Sequence, residues 1–169
     1  MPQTYLTWIA LVLGVAFAAP AVAQTVTGAE IIWYGVYQAE QAREVQDPSA
    51  LGGKRKVSGH VQPPSVNSER VAIADNTRFG FGYRVTGEPD GAEVTIKVVQ
   101  KMPPPGALNV STGQRSTYGS YDAKVKIGAR PFTGWVIGKA ANAPAGQWTF
   151  EIWHQGNKLT GKTFTLYHQ

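Results

Sequence analysis

The chain contains no cysteine, and its first 23 residues contain no lysine, arginine, aspartate or glutamate. Without cysteine the fold cannot rely on disulfides, and thiol catalysis and thiolate metal ligation are excluded. The patterns Gly-x-Ser-x-Gly, Ser-x-x-Lys and His-Glu-x-x-His are also absent, as is a phosphate-binding glycine loop. The sequence therefore gives no indication of a common serine hydrolase, a penicillin-binding enzyme or a zinc protease.

The uncharged N-terminal segment has the features of a secretory signal peptide. It is apolar from Leu6 to Phe17 and ends in Ala21-Val22-Ala23, the small-x-small pattern that signal peptidase recognises. The apolar run is shorter than the roughly 20 residues that span a bilayer. We expect residues 1–23 to be a cleaved signal peptide and the protein to be periplasmic or secreted in a bacterium. An uncleaved membrane anchor is the alternative.

In the rest of the chain, apolar residues recur every second position, which is the period of a β-strand. The clearest case is residues 77–85, where Phe79, Phe81, Tyr83 and Val85 share one face and Arg78, Gly80, Gly82 and Arg84 the other. This pattern predicts a strand with one buried face. A strand covered on both faces is predicted for residues 30–38 and a short edge strand for residues 57–62. Further strands are predicted for residues 92–100, 121–127, 132–139, 148–153 and 158–167.

The last two of these strands are predicted to form a hairpin. Gln155-Gly156-Asn157 is a turn sequence between them. Strand alternation places one set of side chains in the core, and it points Trp153 the opposite way, beside Thr149 and Glu151. The predicted core set is Trp148, Phe150, Ile152, Phe164 and Leu166.

About seven short strands separated by turns predict an all-β protein with an antiparallel immunoglobulin-like β-sandwich in a single domain, residues 24–169. A small β-barrel is the alternative, because strand count alone does not distinguish closure from two packed sheets. A basic loop excursion is expected near residues 41–56, and no regular structure is predicted for residues 106–116.

Three runs of residues carry a resemblance. They are Trp33-Tyr34-Gly35-Val36-Tyr37, Arg78-Phe79-Gly80-Phe81-Gly82-Tyr83-Arg84-Val85, and Gly146-x-Trp148-x-Phe150-x-Ile152-Trp153 followed by Leu159 and Phe164. From about Gly28 to Leu166 the chain resembles a family of small exported bacterial domains of unknown function with an immunoglobulin-like sandwich. The resemblance implies the fold and brings no catalytic residues. The basic excursion and residues 106–116 depart from the family pattern.

Positive charge is concentrated in the second half of the chain. From residue 97 onward the chain has nine basic and two acidic residues, whereas residues 24–96 include seven basic and nine acidic residues. Such a field attracts an acidic protein, an acidic glycan or an anionic lipid surface. Nucleic acid is not expected, because the protein is predicted to be exported and has no recognition motif. The oligomeric state is left open.

The candidate binding residues are outward aromatics and clustered basic side chains. Trp153 could stack on a sugar or anchor a protein partner, and Tyr118 and Tyr121 lie near two lysines of the same strand. An ordinary packing role for these aromatics is the alternative. The basic candidates are Lys124 and Lys126, with Lys54, Arg55 and Lys56 in the excursion.

No metal site, cofactor or catalytic residue is predicted. The predicted hairpin puts His154 and His168 roughly 30 Å apart, too far to share a metal ion. A metal site formed by His60 and His154 is the remaining alternative, and ordinary surface histidines are the simpler interpretation. Nothing in the sequence pairs two of the carboxylates at Asp75, Asp90, Asp122 and Glu151 as a glycosidase requires. Two hypotheses remain: a non-catalytic binding or assembly module of the cell envelope, and an envelope hydrolase with an unrecognised site.

Overall fold

The computed structural model describes residues 24–40, 43–46, 54–57, 59–109 and 112–169. The predicted signal peptide lies outside this described part. The described residues form 14 strands and one short 3-10 helix, Ala140–Asn142. In chain order the strands are β1 (Thr25–Val36), β2 (Gln38–Ala39), β3 (Arg43–Gln46), β4 (Lys54–Val57), β5 (Val61–Gln62), β6 (Arg70–Ala72), β7 (Arg78–Glu88), β8 (Glu93–Lys101), β9 (Ala107–Leu108), β10 (Arg115–Ser116), β11 (Tyr118–Lys126), β12 (Phe132–Val136), β13 (Gly146–His154) and β14 (Asn157–Tyr167).

Eight of these strands form two sheets that enclose the core. A three-stranded sheet has the order β1-β7-β12, and a five-stranded sheet has the order β11-β8-β13-β14-β6. All neighbours are antiparallel except β14 and β6, which are parallel. The fold is an immunoglobulin-like β-sandwich, as predicted. Among the eight strands of the two sheets, β6 was not predicted from the sequence, and it is only three residues long.

The predicted core residues are buried between the sheets. Trp148, Phe150, Ile152, Phe164 and Leu166 are all at most 1% exposed. Their partners across the core are the apolar residues of β7. The centroid of the Phe79 ring lies 5.4–5.8 Å from the ring centroids of Trp148, Phe150 and Phe164. The alternating pattern of the sequence therefore identified both inner faces correctly.

The outer face of β7 differs from the prediction because it is also covered. Gly80 and Gly82 are buried, and a Cβ atom on Gly82 would lie 2.2 Å from the indole nitrogen of Trp33. The Trp33 ring occupies the space that a side chain at position 82 would need. Trp33 belongs to the run 33–37 and Gly82 to the run 78–85, so two of the runs that carry the family resemblance pack directly on each other.

Three two-stranded ladders lie outside the two sheets. β3 pairs with β4 and β2 with β5, so the described part of the basic excursion forms strands and is not purely a loop. The single strand predicted for residues 57–62 is wrong, because residue 57 ends β4 and a bend at 59–60 precedes β5. β9 and β10 form a short ladder within residues 106–116, where no regular structure was predicted. In the part of the chain that the structure describes, no helix is long and apolar enough to cross a bilayer.

Candidate functional site: a groove on the outer face of the five-stranded sheet

Strand register brings side chains from β11, β8 and β13 into rows on the outward face of the large sheet. Lys97 of β8 lies between Asp122 of β11 and Trp153 of β13. Four residues further along β8, Lys101 lies beside Tyr118 of β11. Side chains four residues apart on a strand point to the same face, so all five belong to one surface.

A shallow groove of about 530 Å³ follows these rows. Val99 forms part of its floor and is only 5% exposed although it points outward. We call this feature the outer-face groove. Its lining residues are Thr95, Ile96, Lys97, Val99, Lys101, Tyr118, Asp122, Glu151, Trp153, Gln155 and Gly156.

Glu151 is the buried polar centre of the outer-face groove. Its carboxylate forms ion pairs with Lys101 at 3.0 Å and with Lys158 at 2.8 Å. The indole N–H of Trp153 donates a third hydrogen bond, at 3.1 Å, to Oε2 of the same carboxylate. The side chain of Glu151 is 6% exposed, whereas those of the two lysines are about half exposed. The lysines therefore cover the carboxylate from the solvent side.

These contacts keep Glu151 ionised. Burial by itself would raise the pKa of the carboxyl group, because it disfavours the charged form. The hydrogen bonds from Lys158, Lys101 and Trp153 outweigh burial and lower the pKa to about 2. At neutral pH Glu151 is therefore ionised, and its carboxylate binds Lys101, Trp153 and Lys158 of the protein itself.

Trp153 is held in one orientation by this carboxylate. Because its only hydrogen-bond donor is used by Glu151, the accessible part of this partly buried ring remains to contact a ligand. Tyr118, 53% exposed, lines the same groove from β11. The outer-face groove therefore offers aromatic surface from two different strands.

Two charged side chains of the outer-face groove form no ion pair in the part of the chain that the structure describes. Among the described residues, neither Lys97 nor Asp122 has an ion-pair partner within 4.0 Å, although they lie opposite each other on β8 and β11. Both are exposed. Lys101, in contrast, is committed to Glu151. Lys97 and Asp122 are thus the charges that a ligand in this groove would meet.

The other candidate residues from the sequence lie elsewhere. Lys124 and Lys126 are exposed on the same outward face but outside the groove, and Lys124 pairs with Glu93 at 3.0 Å. Tyr121 packs against the core from the inward face of β11, and its hydroxyl lies 3.3 Å from Oγ1 of Thr133. The structure therefore separates Tyr121 from Tyr118 and Trp153. The side chains of Lys54, Arg55 and Lys56 lie outside the described part.

The carboxylates behave differently from the expectation. Glu151, which alternation along β13 places on the outward face, is nevertheless buried, and it lines one groove together with Asp122. His154 places Nδ1 2.9 Å from the carbonyl oxygen of Thr95. No group of three or more His, Asp and Glu side chains within the described ranges is placed to hold a metal ion.

The sequence indicated Trp153 and Tyr118 as candidates and placed Glu151 beside Trp153, but it did not indicate Glu151 as a site residue or Lys97, Lys101 and Asp122 as neighbours. Alternation along β13 does put Glu151 and Trp153 on one face, a signal that was available. The remaining neighbours depend on β8 lying between β11 and β13. That order results from long-range pairing and has no local pattern.

Comparison with known proteins supports the fold alone. An immunoglobulin-like protein from Pseudomonas aeruginosa, solved by crystallography, is similar to this chain with a TM-score of 0.58 and 16% identity, over 88% of this chain and 100% of that protein. No protein-family model matches the sequence, and no curated protein is significantly similar to it.

Proposed function

We propose that this protein is a non-catalytic binding or assembly module of the bacterial cell envelope that binds an anionic partner through the outward face of its five-stranded sheet. The proposal includes export by a cleaved signal peptide and membership of the family of small exported domains that the sequence resembles. The alternating core and the basic second half are consistent with it, but its main support is the surface of the sheet.

The observation that carries the proposal is the composition of this one face. Two aromatic side chains, Trp153 and Tyr118, share it with an excess of lysine. The basic members are Lys97, Lys101, Lys124, Lys126 and Lys158, against the acidic residues Glu93, Asp122 and Glu151. A net positive face with exposed aromatics favours an anionic partner by charge complementarity and provides apolar contact area.

An envelope hydrolase is the alternative, because Asp122 and Glu151 line one groove. Glu151 is poorly suited to acid or base catalysis. Its pKa of about 2 leaves it without a proton to donate at neutral pH, and three donors already bind its carboxylate. A general acid or base works best with a pKa near the working pH. Binding without turnover is therefore the function that the groove supports best.

The test is recovery of a partner from the envelope extract of the source bacterium at low and high salt. We expect a defined partner at low salt that is lost at high salt, because exposed charges are screened. The double variant Lys124→Glu/Lys126→Glu should lower recovery on the order of tenfold.

The control is Arg84→Glu/Lys139→Glu, which makes the same change in net charge away from this face. Arg84 pairs with Glu30 on the small sheet, and Lys139 pairs with Asp75 after β12. Equal losses in both double variants would show that only net charge matters. Absence of any partner at either salt concentration, with folded variants, would overturn the proposal.

A further inference from the structure

We infer that the ligand of the outer-face groove is an acidic oligosaccharide, which stacks on Trp153 and Tyr118 and places a carboxylate at Lys97. This inference rests on the proposed function, since it specifies the anionic partner of the same face.

Trp153 presents a fixed ring to a ligand in the groove. The hydrogen bond from Trp153 to Glu151 fixes the indole and uses its N–H, so a ligand gains contact with the ring and not with a polar group. A ring fixed before binding loses little entropy when the ligand binds. The apolar face of a pyranose ring is a suitable partner for such a platform.

The two aromatic side chains of the groove are spaced for an extended ligand. Trp153 lies level with Lys97 and Tyr118 level with Lys101, on strands separated by β8. Two strand spacings and four residue steps place their Cα atoms about 17 Å apart. This diagonal matches an extended chain of a few linked sugar rings, whereas a single small molecule would reach only one aromatic.

One lysine and one aspartate of the groove are left for a ligand to contact. Lys97 lies next to Trp153 on one side and next to Asp122 on the other, and neither charged group has an ion-pair partner among the described residues. A ligand carboxylate can pair with Lys97 while sugar hydroxyls donate hydrogen bonds to Asp122. Lys101 and Lys158 already form ion pairs with Glu151. The groove therefore favours a ligand with a carboxylate at one position over a densely anionic surface.

The position of the groove in the sheet favours a glycan over a peptide. Peptides that bind to sheets gain affinity by adding a strand at an open edge. Most of the groove lies over β8 and β13, which have hydrogen-bonded neighbours on both sides, and only Tyr118 and Asp122 come from the edge strand β11. The backbone groups of β8 and β13 are used within the sheet, so a peptide would gain no main-chain hydrogen bonds there. A sugar chain has no such requirement, because side chains alone can bind its hydroxyls and ring faces.

The experiment is calorimetric titration of the purified protein with three matched probes. They are tetragalacturonate, its fully methyl-esterified form, and a tetra-aspartate peptide. The first two have the same rings but differ in charge, and the first and third have similar charge but differ in shape. We expect tetragalacturonate to bind at least tenfold more tightly than either of the other probes, because a charge-assisted hydrogen bond and ring stacking act together.

Variants identify the surface. Lys97→Gln should weaken binding of tetragalacturonate about tenfold. Lys126→Gln, which removes the same charge from the same face outside the groove, should change it less than twofold. Trp153→Ala should abolish binding. Trp153→Phe, which keeps a stacking ring but loses the N–H that fixes it, should bind more weakly than the wild type and more tightly than Trp153→Ala. Circular dichroism and thermal unfolding establish that each variant is folded.

The outcomes separate the inference from the proposed function. Equal affinity for tetra-aspartate, equal effects of the two lysine variants, or no binding of tetragalacturonate would overturn the acidic-oligosaccharide inference. If the salt-dependent partner is then still recovered from the envelope extract, the proposed function stands and its partner is a protein or a lipid surface. If no partner is recovered either, both fail.

Discussion

Glu151 is a buried carboxylate on the outward face of a sheet, and its two lysines and one tryptophan come from three adjacent strands. Removing one member of a buried ionic network leaves the others without compensation. Lys101 and Lys158 can turn to solvent, since they are about half exposed. A substitution at position 151 should therefore lower the free energy of unfolding only moderately.

We predict that Glu151→Gln lowers the free energy of unfolding at pH 7 by about 2 kcal/mol, the usual contribution of hydrogen bonds to a charged group. The folded-state pKa of about 2 lies below the ordinary value of 4.5. Ionised Glu151 therefore stabilises the fold fully above pH 4.5, and this stabilisation is lost as the pH falls from 4.5 to about 2. The difference between variant and wild type should shrink over that range. Urea unfolding at pH 7, 4 and 2.5 measures it.

The matched control is Glu93→Gln. Glu93 also pairs with a lysine at 3.0 Å, but both side chains are more than half exposed. Such a surface pair contributes about 0–1 kcal/mol. If both variants lose the same stability, or if the loss at position 151 is independent of pH, the ionic network does not stabilise the fold as described.

At the scale of elements, the hairpin of β13 and β14 presents Trp153 to the groove. Its two turn residues are Gln155, with φ of 47°, and Gly156, with φ of 82°. Positive φ at both positions is the geometry of a type I′ turn, which matches the twist of the flanking strands. Asparagine followed by glycine is the preferred pair for this turn, so glutamine at the first position is not optimal.

We predict that Gln155→Asn stabilises the protein by a few tenths of a kcal/mol, because asparagine adopts the left-handed region more readily. Gly156→Ala should destabilise it by about 1 kcal/mol for the opposite reason. Thermal unfolding should show shifts of opposite sign. Gly138→Ala is the control, since a Cβ atom there meets nothing within 4 Å. A stabilising Gly156→Ala variant would contradict the turn assignment.

At the scale of the whole molecule, the two sheets share one core. Phe79 of the small sheet is fully buried and contacts aromatic rings of β13 and β14 in the large sheet. The apolar cluster continues from β7 through β8, β13 and β14. The sheets should therefore unfold together.

We predict that Phe79→Ala lowers the free energy of unfolding by about 3–5 kcal/mol, because it leaves a cavity between the sheets. Far-UV circular dichroism and tryptophan fluorescence should report one common midpoint in both proteins. Val66→Ala, at a side chain that is 77% exposed, should change stability by less than about 0.5 kcal/mol. Two separate transitions would show that the sheets are independently stable.

The amino-acid sequence by itself determined which residues of the main strands face the core. Side chains alternate along any strand, so the positions of Phe79, Trp148 and Phe164, and the outward direction of Trp153, follow from local geometry. The same local reasoning predicted the turn at residues 155–157. It did not predict β6, because three residues are too few to show a period.

The tertiary structure decided which outward residues became neighbours. Lys97 lies between Trp153 and Asp122 only because β8 pairs with both β13 and β11, and strands that are far apart in sequence pair through packing of the whole chain. The burial of Glu151 has the same origin, since the lysines that cover it belong to β8 and β14. The side of a strand to which a side chain points is a local property of the chain, whereas strand order depends on long-range contacts. The outward direction of Trp153 was therefore predictable from the sequence, and the groove was not.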